Sequence, residues 1–347
     1  MKNPFSLAFG IQPMEYISRD MQIQKIKDTF IGGDTGSHAY IITGVRGSGK
    51  TVLLSEIASQ FSENEDWNVI DLNPNRDMLT PLISKMNSTR SLHRLFSSIH
   101  LSINIPGLNV TYEGSPDITD PEAALEEMLK EMKKKGKNLL VTVDEADNNE
   151  NLKAFITTFQ MMTRKKLPMF LLMTGLYENV SDLQNESNMT FLLRTPKIEL
   201  TSLNRTGMVS TYMRTLEITE EEAREMAGIT KGYAFAFQLL GYLYWNQKFT
   251  QKEINTEVIM QGFDQQLEEY VYAKIWSSLS GLDRKFLTYI SRKESSKVSD
   301  LLHDMNISNS LYSVYRKRLS EKGLINIEQR GYVSMALPRF DVFVKNR

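Results

Sequence analysis

The 347-residue chain exceeds the usual size of one domain, so two or three compact units are expected. It has no cysteine, which rules out disulfides and thiolate metal sites and suits a reducing compartment; its four histidines, His38, His93, His100 and His303, lack the spacing of a ligand pair, which argues against structural zinc. The net charge of −1 hides an asymmetry: residues 281–347 hold 13 Lys or Arg against 7 Asp or Glu, leaving −7 on the remainder, so only the C-terminal segment is biased toward a polyanion. The opening Met1-Lys2-Asn3-Pro4-Phe5 lacks the apolar run of a signal peptide, and no stretch reaches 18 apolar residues, so a soluble cytoplasmic protein without a membrane segment is predicted.

In chain order, Asp20–Phe30 reads as an amphipathic helix with Met21, Ile23, Ile26 and Phe30 on its apolar face, ended by Gly32-Gly33. An apolar strand, Ala39–Thr43, follows. It runs into Gly44-Val45-Arg46-Gly47-Ser48-Gly49-Lys50-Thr51 and then into a helical stretch from Val52 to Ala58. Strand, glycine loop and helix in that order are the context a P-loop requires. Glycine at 44, 47 and 49 lets consecutive backbone amides turn inward to phosphate oxygens. The Lys50 ammonium is suited to the β and γ phosphates, and the Thr51 hydroxyl to Mg²⁺ at a helix N-terminus. A nucleoside triphosphate with Mg²⁺, ATP foremost, is therefore the expected ligand, with contacts from Gly44 through Val52.

Trp67–Leu72 reads as a second strand, ended before Pro74, and Leu101–Thr119 has no clear period. Asp120 and Pro121 open a helix that ends in Lys133-Lys134-Lys135, a dipole-matched and solvated terminus. The apolar strand Asn138–Val143 delivers Asp144-Glu145 at its carboxyl end, where ligands gather in parallel α/β sheets. Asp144 is the second expected Mg²⁺ ligand. Glu145 either polarises the attacking water or merely caps the next turn. Pro168–Met173 is a further buried strand; Thr174 at its tip either touches the γ-phosphate or simply ends the strand. Lys197–Leu200 closes the series.

These strands and their tips resemble the AAA+ superfamily, and over essentially the whole chain the prokaryotic ATP-binding proteins near the origin-recognition-like and STAND ATPases. Tyr16-Ile17-Ser18-Arg19-Asp20 is similar to the segment those proteins place beside adenine, with Ser18 where glycine is usual, which implicates Tyr16 and Arg19 in nucleotide binding. The resemblance implies an α/β P-loop NTPase core with sheet order 5-1-4-3-2, a sensor position at Thr174, and an arginine before the fifth strand that reaches a neighbouring subunit's nucleotide. Arg194 matches that place, Arg205 less well, and an exposed surface arginine is the plain alternative. Lys231-Gly232-Tyr233-Ala234-Phe235 departs from the pattern: Phe235 stands where a sensing arginine is expected, and Ala234 where a Gly-x-Pro turn has its proline.

The expected division is residues 1–200 as ATPase core, 201–280 as helical lid and 281–347 as winged helix. In the lid, Thr219–Glu222 is a capping box, and Tyr233, Phe235, Phe237, Leu239, Leu240, Tyr242 and Trp245 form an apolar helix read as lid core. Thr250 with Glu253 caps the next helix, and Phe263–Trp276 continues with Leu267, Tyr270, Val271 and Ile275 on one side. Beyond Leu282 the pattern gives helices at 283–292, 298–305 and 309–322, the last capped by Ser308 and ended by Gly323, then two strands paired across Gln329-Arg330-Gly331. The third helix would enter a DNA major groove with Ser310, Tyr312, Ser313, Arg316 and Lys317, and Arg330 at the wing tip would meet a phosphate or minor groove. A protein client or intramolecular gating is the alternative for this module. The leading expectation is an ATPase coupling ATP/ADP state to the winged helix, with nucleotide-dependent self-association. The rival is a slow-turnover binding switch or scaffold; a small-molecule kinase fits poorly because nothing indicates an acceptor pocket.

Overall fold

The computed structural model describes residues 2–8, 13–32, 37–98, 101–111, 113, 117–252, 254–293 and 295–347. Gly33, His100 and Glu253, used above, lie outside them. The chain folds into two compact units interleaved in sequence: Arg19–Thr43 with Leu53–Glu199, and Met1–Ser18 with Gly44–Val52 and Leu200–Arg347.

The first of these contains α1 (Asp20–Ile31), β1 (Ala39–Thr43), most of α2 (Lys50–Ser62), β2 (Trp67–Leu72), α3 (Leu79–Ser88), α4 (Arg90–Ser98), β3 (Ile103–Ile105), β4 (Leu108–Val110), α5 (Pro121–Lys134), β5 (Asn138–Val143), α6 (Glu150–Arg164), β6 (Met169–Gly175), α7 (Tyr177–Asn185), a 3-10 turn (Thr190–Arg194) and β7 (Lys197–Glu199). Five strands form one sheet in the order β2-β5-β6-β1-β7, every pairing parallel. Counted over the five core strands, this is 5-1-4-3-2 read from the β7 edge, as the resemblance implied. β1 and β6 are buried along their whole length, the mark of a parallel sheet covered by helices on both faces. Asp120 caps α5 by accepting from the Ala123 amide at 2.8 Å. On α1, Ile23, Ile26 and Phe30 face inward as expected, but Met21 is 83% exposed: it lies outside the narrow stripe made by the i, i+3, i+7 spacing of the other three. The aperiodic Leu101–Thr119 stretch carries the short β3-β4 hairpin, which turns at Gly107 with φ 83°.

The second unit contains α8 (Arg205–Leu216), α9 (Glu220–Thr230), α10 (Ala234–Trp245), α11 (Thr256–Leu267), α12 (Ala273–Ser277), α13 (Gly281–Ile290), β8 (Ser296–Lys297), α14 (Val298–Asp304), α15 (Asn309–Glu321), β9 (Ile325–Asn326), β10 (Tyr332–Met335) and α16 (Phe340–Lys345). The Thr219–Glu222 capping box opens α9. Thr250 does not begin a helix. It lies in a π-helical turn, Asn246–Gln251, that prolongs α10, and Asn255 caps α11 instead, accepting from the Val258 amide at 3.2 Å. A second π turn, Glu268–Tyr272, joins α11 to α12 and inserts a residue into the helical period, so Val271 and Tyr272 face the core while Tyr270 is exposed.

The chain's beginning also belongs to this unit. Phe5 is 1% exposed and packs its ring on Tyr212 and Phe237 at 5.9 and 5.8 Å. A methyl group on Gly241 would come within 2.6 Å of that ring, so α10 needs glycine there. Burying one such phenylalanine contributes about 1.5–3 kcal/mol. The C-terminal part runs helix, strand, two helices, two strands, with an antiparallel sheet in the order β8-β10-β9, an arrangement consistent with a winged-helix domain. Among the described residues, no helix is long and apolar enough to cross a membrane.

Candidate nucleotide-binding site

Parallel β1 ends at Thr43, paired with Gly175, and the glycine loop leaves from that end. Its three glycines answer different demands. Gly47 and Gly49 have φ of 77° and 93°, the left-handed region open to glycine, whereas Gly44 is needed for space: a methyl group there would lie 2.6 Å from Ser48 Oγ and 3.2 Å from Leu200 Cβ. The Ser48 amide donates to the Val45 carbonyl at 3.1 Å, closing the turn. Lys50, the first residue of α2, reaches back over the loop and its ammonium donates to the carbonyls of Gly44 at 3.0 Å and Val45 at 3.1 Å. Thr51 follows in the first turn of the helix and Val52 beside it, both half-buried.

Residues far away in sequence grip this loop. The Tyr233 hydroxyl donates to the Arg46 carbonyl, and the Phe235 amide donates to the Gly47 carbonyl at 3.0 Å. Burial pushes the Tyr233 phenol well above its ordinary value, against the opposing pull of the Arg46 charge, so it is a neutral donor. Val45 lies against the far end of α15, where a methyl group on Gly323 would be 3.3 Å from Val45 Cβ. The chain start is tied to the same unit: Ile17 packs on Gly207, and Glu15 pairs with Arg214 at 2.5 Å and accepts from Gln238 through its backbone carbonyl. Tyr16 is half-buried in this segment.

In the sheet-bearing unit, Asp144 and Glu145 follow β5 and Thr174 is the penultimate residue of β6, 0% exposed. The Thr174 hydroxyl donates to Asp144 Oδ1. The Glu145 amide donates to Asp144 Oδ1 at 3.1 Å and to Thr174 Oγ1 at 3.3 Å. Glu145 itself has φ 56°, a left-handed conformation that costs a non-glycine residue about 1 kcal/mol and turns its exposed side chain out of the sheet. The Ala146 amide, donating to the Thr174 carbonyl at 2.7 Å, anchors that turn. The structure therefore brings Asp144, Glu145 and Thr174 into one hydrogen-bonded cluster. Arg19 precedes α1, where burial lowers its guanidinium pKa. Arg194 ends the 3-10 turn, separated from β7 by two residues, and is exposed; Arg205, the first residue of α8, is exposed too.

On α15, Ser310, Ser313, Arg316 and Lys317 are exposed, Lys317 with Glu321 3.8 Å away, and Arg330 is exposed in the turn between β9 and β10. Tyr312 points the other way. It is 7% exposed, its ring is stacked over Phe286 at 6.5 Å, and burial raises its phenol pKa, so it belongs to the core and not to a groove-facing surface.

Against known proteins, residues 16–173 match the family model described as an ATPase domain predominantly from Archaea, and residues 269–344 match that of a domain of unknown function. No curated protein matches the chain. Among solved structures, the Walker-type ATPase PABY2304 of Pyrococcus abyssi superposes with a TM-score of 0.65 at 15% identity, covering 98% of this chain and 99% of that one. The ORC2 protein of Aeropyrum pernix, solved as ADPNP-ADP complexes, gives 0.61 at 14% identity over 98% and 96%. CDC6P of Pyrobaculum aerophilum gives 0.51 at 16% over 97% and 94%. Residues 16–173 are thus similar to an archaeal-type ATPase domain, and the chain has the α/β fold with a parallel central sheet seen in the Orc/Cdc6 P-loop ATPase structures.

Proposed function

We propose that this chain binds ATP with Mg²⁺ at the Gly44–Val52 loop, hydrolyses it, and couples its ATP/ADP state to the C-terminal module. The observation that carries the reading is the loop itself: a buried parallel strand, two left-handed glycines, and Lys50 held over the loop at the head of a helix. Such a loop suits a polyphosphate, since amides, ammonium and helix dipole all offer positive charge. The Aeropyrum ORC2 protein, of the same fold, was solved with ADPNP and ADP. The Thr51 hydroxyl and the Asp144 carboxylate are hard oxygen donors of the kind Mg²⁺ prefers. Bound there, Mg²⁺ would neutralise charge developing on the phosphates.

In this reading Lys50 neutralises the β and γ phosphates, and Glu145 orients the attacking water and accepts its proton. Thr174 fixes Asp144 through the hydroxyl bond and serves as the sensor of the site, while Tyr16 and Arg19 flank the base. The exposure of Arg194 suits a residue that completes a neighbouring subunit's site during nucleotide-dependent self-association. Residues 1–200, 201–280 and 281–347 then act as ATPase core, lid and winged helix of a cytoplasmic protein. Phosphate release by the wild type and by Glu145→Gln tests the enzyme reading: equal rates would remove Glu145 from catalysis.

A slow nucleotide-dependent switch is the second reading, and Phe235 favours it, since no cationic side chain stands at that lid position. Tight MgATP binding with negligible turnover would identify it. For the output, the exposed Ser310, Ser313, Arg316, Lys317 and Arg330 favour DNA over a protein client. DNA affinity falling steeply with salt, with a shallower slope in Arg316→Ala and ATP binding retained, is the expected signature.

A further inference from the structure

The first turn of α10 is joined to the glycine loop by two hydrogen bonds that use carbonyls, not amides, of the loop: Tyr233 Oη to Arg46 and Phe235 N–H to Gly47. In a trans peptide the carbonyl of one residue and the N–H of the next point in opposite directions. Drawing the Arg46 carbonyl toward the lid therefore turns the Gly47 amide away from it, and drawing the Gly47 carbonyl does the same for Ser48, whose amide closes the turn on Val45 at 3.1 Å. A glycine at φ 77° resists such reorientation weakly, since it has no side chain to choose one basin. The loop's own sequence thus permits several amide directions, and contacts from residue 233 onward select one.

We propose that Tyr233 is a positioning residue for nucleotide binding: its hydroxyl locks the Arg46–Gly47 peptide plane so that the Gly47 amide is held ready for a phosphate oxygen. This role rests on the MgATP reading above. It accounts for two features together. Gly47 must be glycine both for its backbone angle and because a methyl group would run into the Tyr233 hydroxyl and come within 3.1 Å of Phe235 Cβ. Tyr233, 6% exposed, keeps a polar tip in an otherwise apolar core only because Arg46 offers it an acceptor. Phe235, not a cation, stands beside the loop here, and the contact of this helix with the loop is made through the loop backbone.

The test uses the full-length protein and Tyr233→Phe, which deletes one oxygen and keeps the ring, with Tyr242→Phe on the same helix as control. Titration with MgATP should give a Kd about five- to tenfold higher for Y233F, with kcat at saturating ATP within about twofold and an unchanged melting temperature, because preorganisation and not chemistry is lost. Hydrogen exchange without nucleotide should quicken at the residue 44–49 amides in Y233F and not in Y242F. Equal affinities for wild type and Y233F, or unchanged loop exchange, would overturn the proposal. Absence of MgATP binding by the wild type would instead overturn the nucleotide reading, and this role with it, while faster loop exchange in Y233F would still report the peptide-locking bond separately.

Discussion

The cluster Asp144–Glu145–Thr174 and the loop Gly44–Thr51 are held in place by opposite means. In the first, side chain meets side chain and neighbouring amide: a fully buried threonine donates to Asp144, and Glu145 accepts a strained backbone angle to keep its own amide on both. The second makes its ties through carbonyls, to Lys50 within the loop and to Tyr233 and Phe235 at the start of α10. A cluster of side chains on adjacent parallel strands inherits its rigidity from the sheet. A glycine loop inherits none, so its geometry depends on ties of its own from Lys50 and Ser48 and on ties from Tyr233 and Phe235 far away in sequence. The difference teaches where each region is vulnerable, the cluster to changes within it and the loop to changes elsewhere as well as within.

Four changes probe that contrast. The largest effect is expected from Lys50→Ala, which removes two ties to loop carbonyls and the ammonium proposed to meet the phosphates; MgATP affinity measured by titration should fall by about 100-fold or more. Next, Glu145→Gln should lower the rate of phosphate release by about 100-fold while leaving MgATP affinity within severalfold, since only proton transfer is touched. Thr174→Val tests whether the cluster fails from inside: losing one donor to Asp144 should slow turnover by about tenfold and destabilise the sheet-bearing unit by about 1 kcal/mol in denaturant unfolding. The smallest effect concerns pH. Burial raises the folded pKa of Tyr233 above the unfolded phenol value of about 10. Its contribution is therefore fully present below pH 10 and is lost only as pH climbs from there toward the folded value. The affinity ratio of wild type to Tyr233→Phe should accordingly stay flat between pH 6 and 9; a ratio that moves in that window would mean some other group controls the loop.

The same contrast explains what could be read from sequence. Gly44–Thr51 and Asp144-Glu145 are local patterns in which each residue type has a chemical reason; the apolar strands are legible as buried runs, but their order in the sheet comes only from the resemblance they carry. Tyr233 is visible only as one of five aromatics among the seven apolar residues of a helix read as core. Its hydroxyl acts on a carbonyl 187 residues away, which no local period encodes. Tyr312 fails for the converse reason: residues 312, 315 and 319 share one buried helical face, and that spacing outweighs the exposed setting of Ser310 and Ser313. Thr250 satisfied a capping pattern, but helical geometry continued through it to Lys252, whose left-handed backbone ends the turn. Phe5 and the two-residue strand β8 are too short to leave a periodic signal, and only tertiary packing defines them.

One contact made by the glycine loop reaches the opposite end of the chain. Gly323, at φ 68° just beyond α15, lies so close to Val45 that an added methyl group would sit 3.3 Å from Val45 Cβ, tight enough that one of the two must give by a few tenths of an ångström. The two positions are thereby neighbours in space: bulk introduced at 323 meets Val45 of the loop, at the end of the helix that bears Arg316 and Lys317. A substitution that enlarges residue 323 is therefore best tolerated together with a smaller residue at 45, and the pair is where such compensation should surface among natural variants.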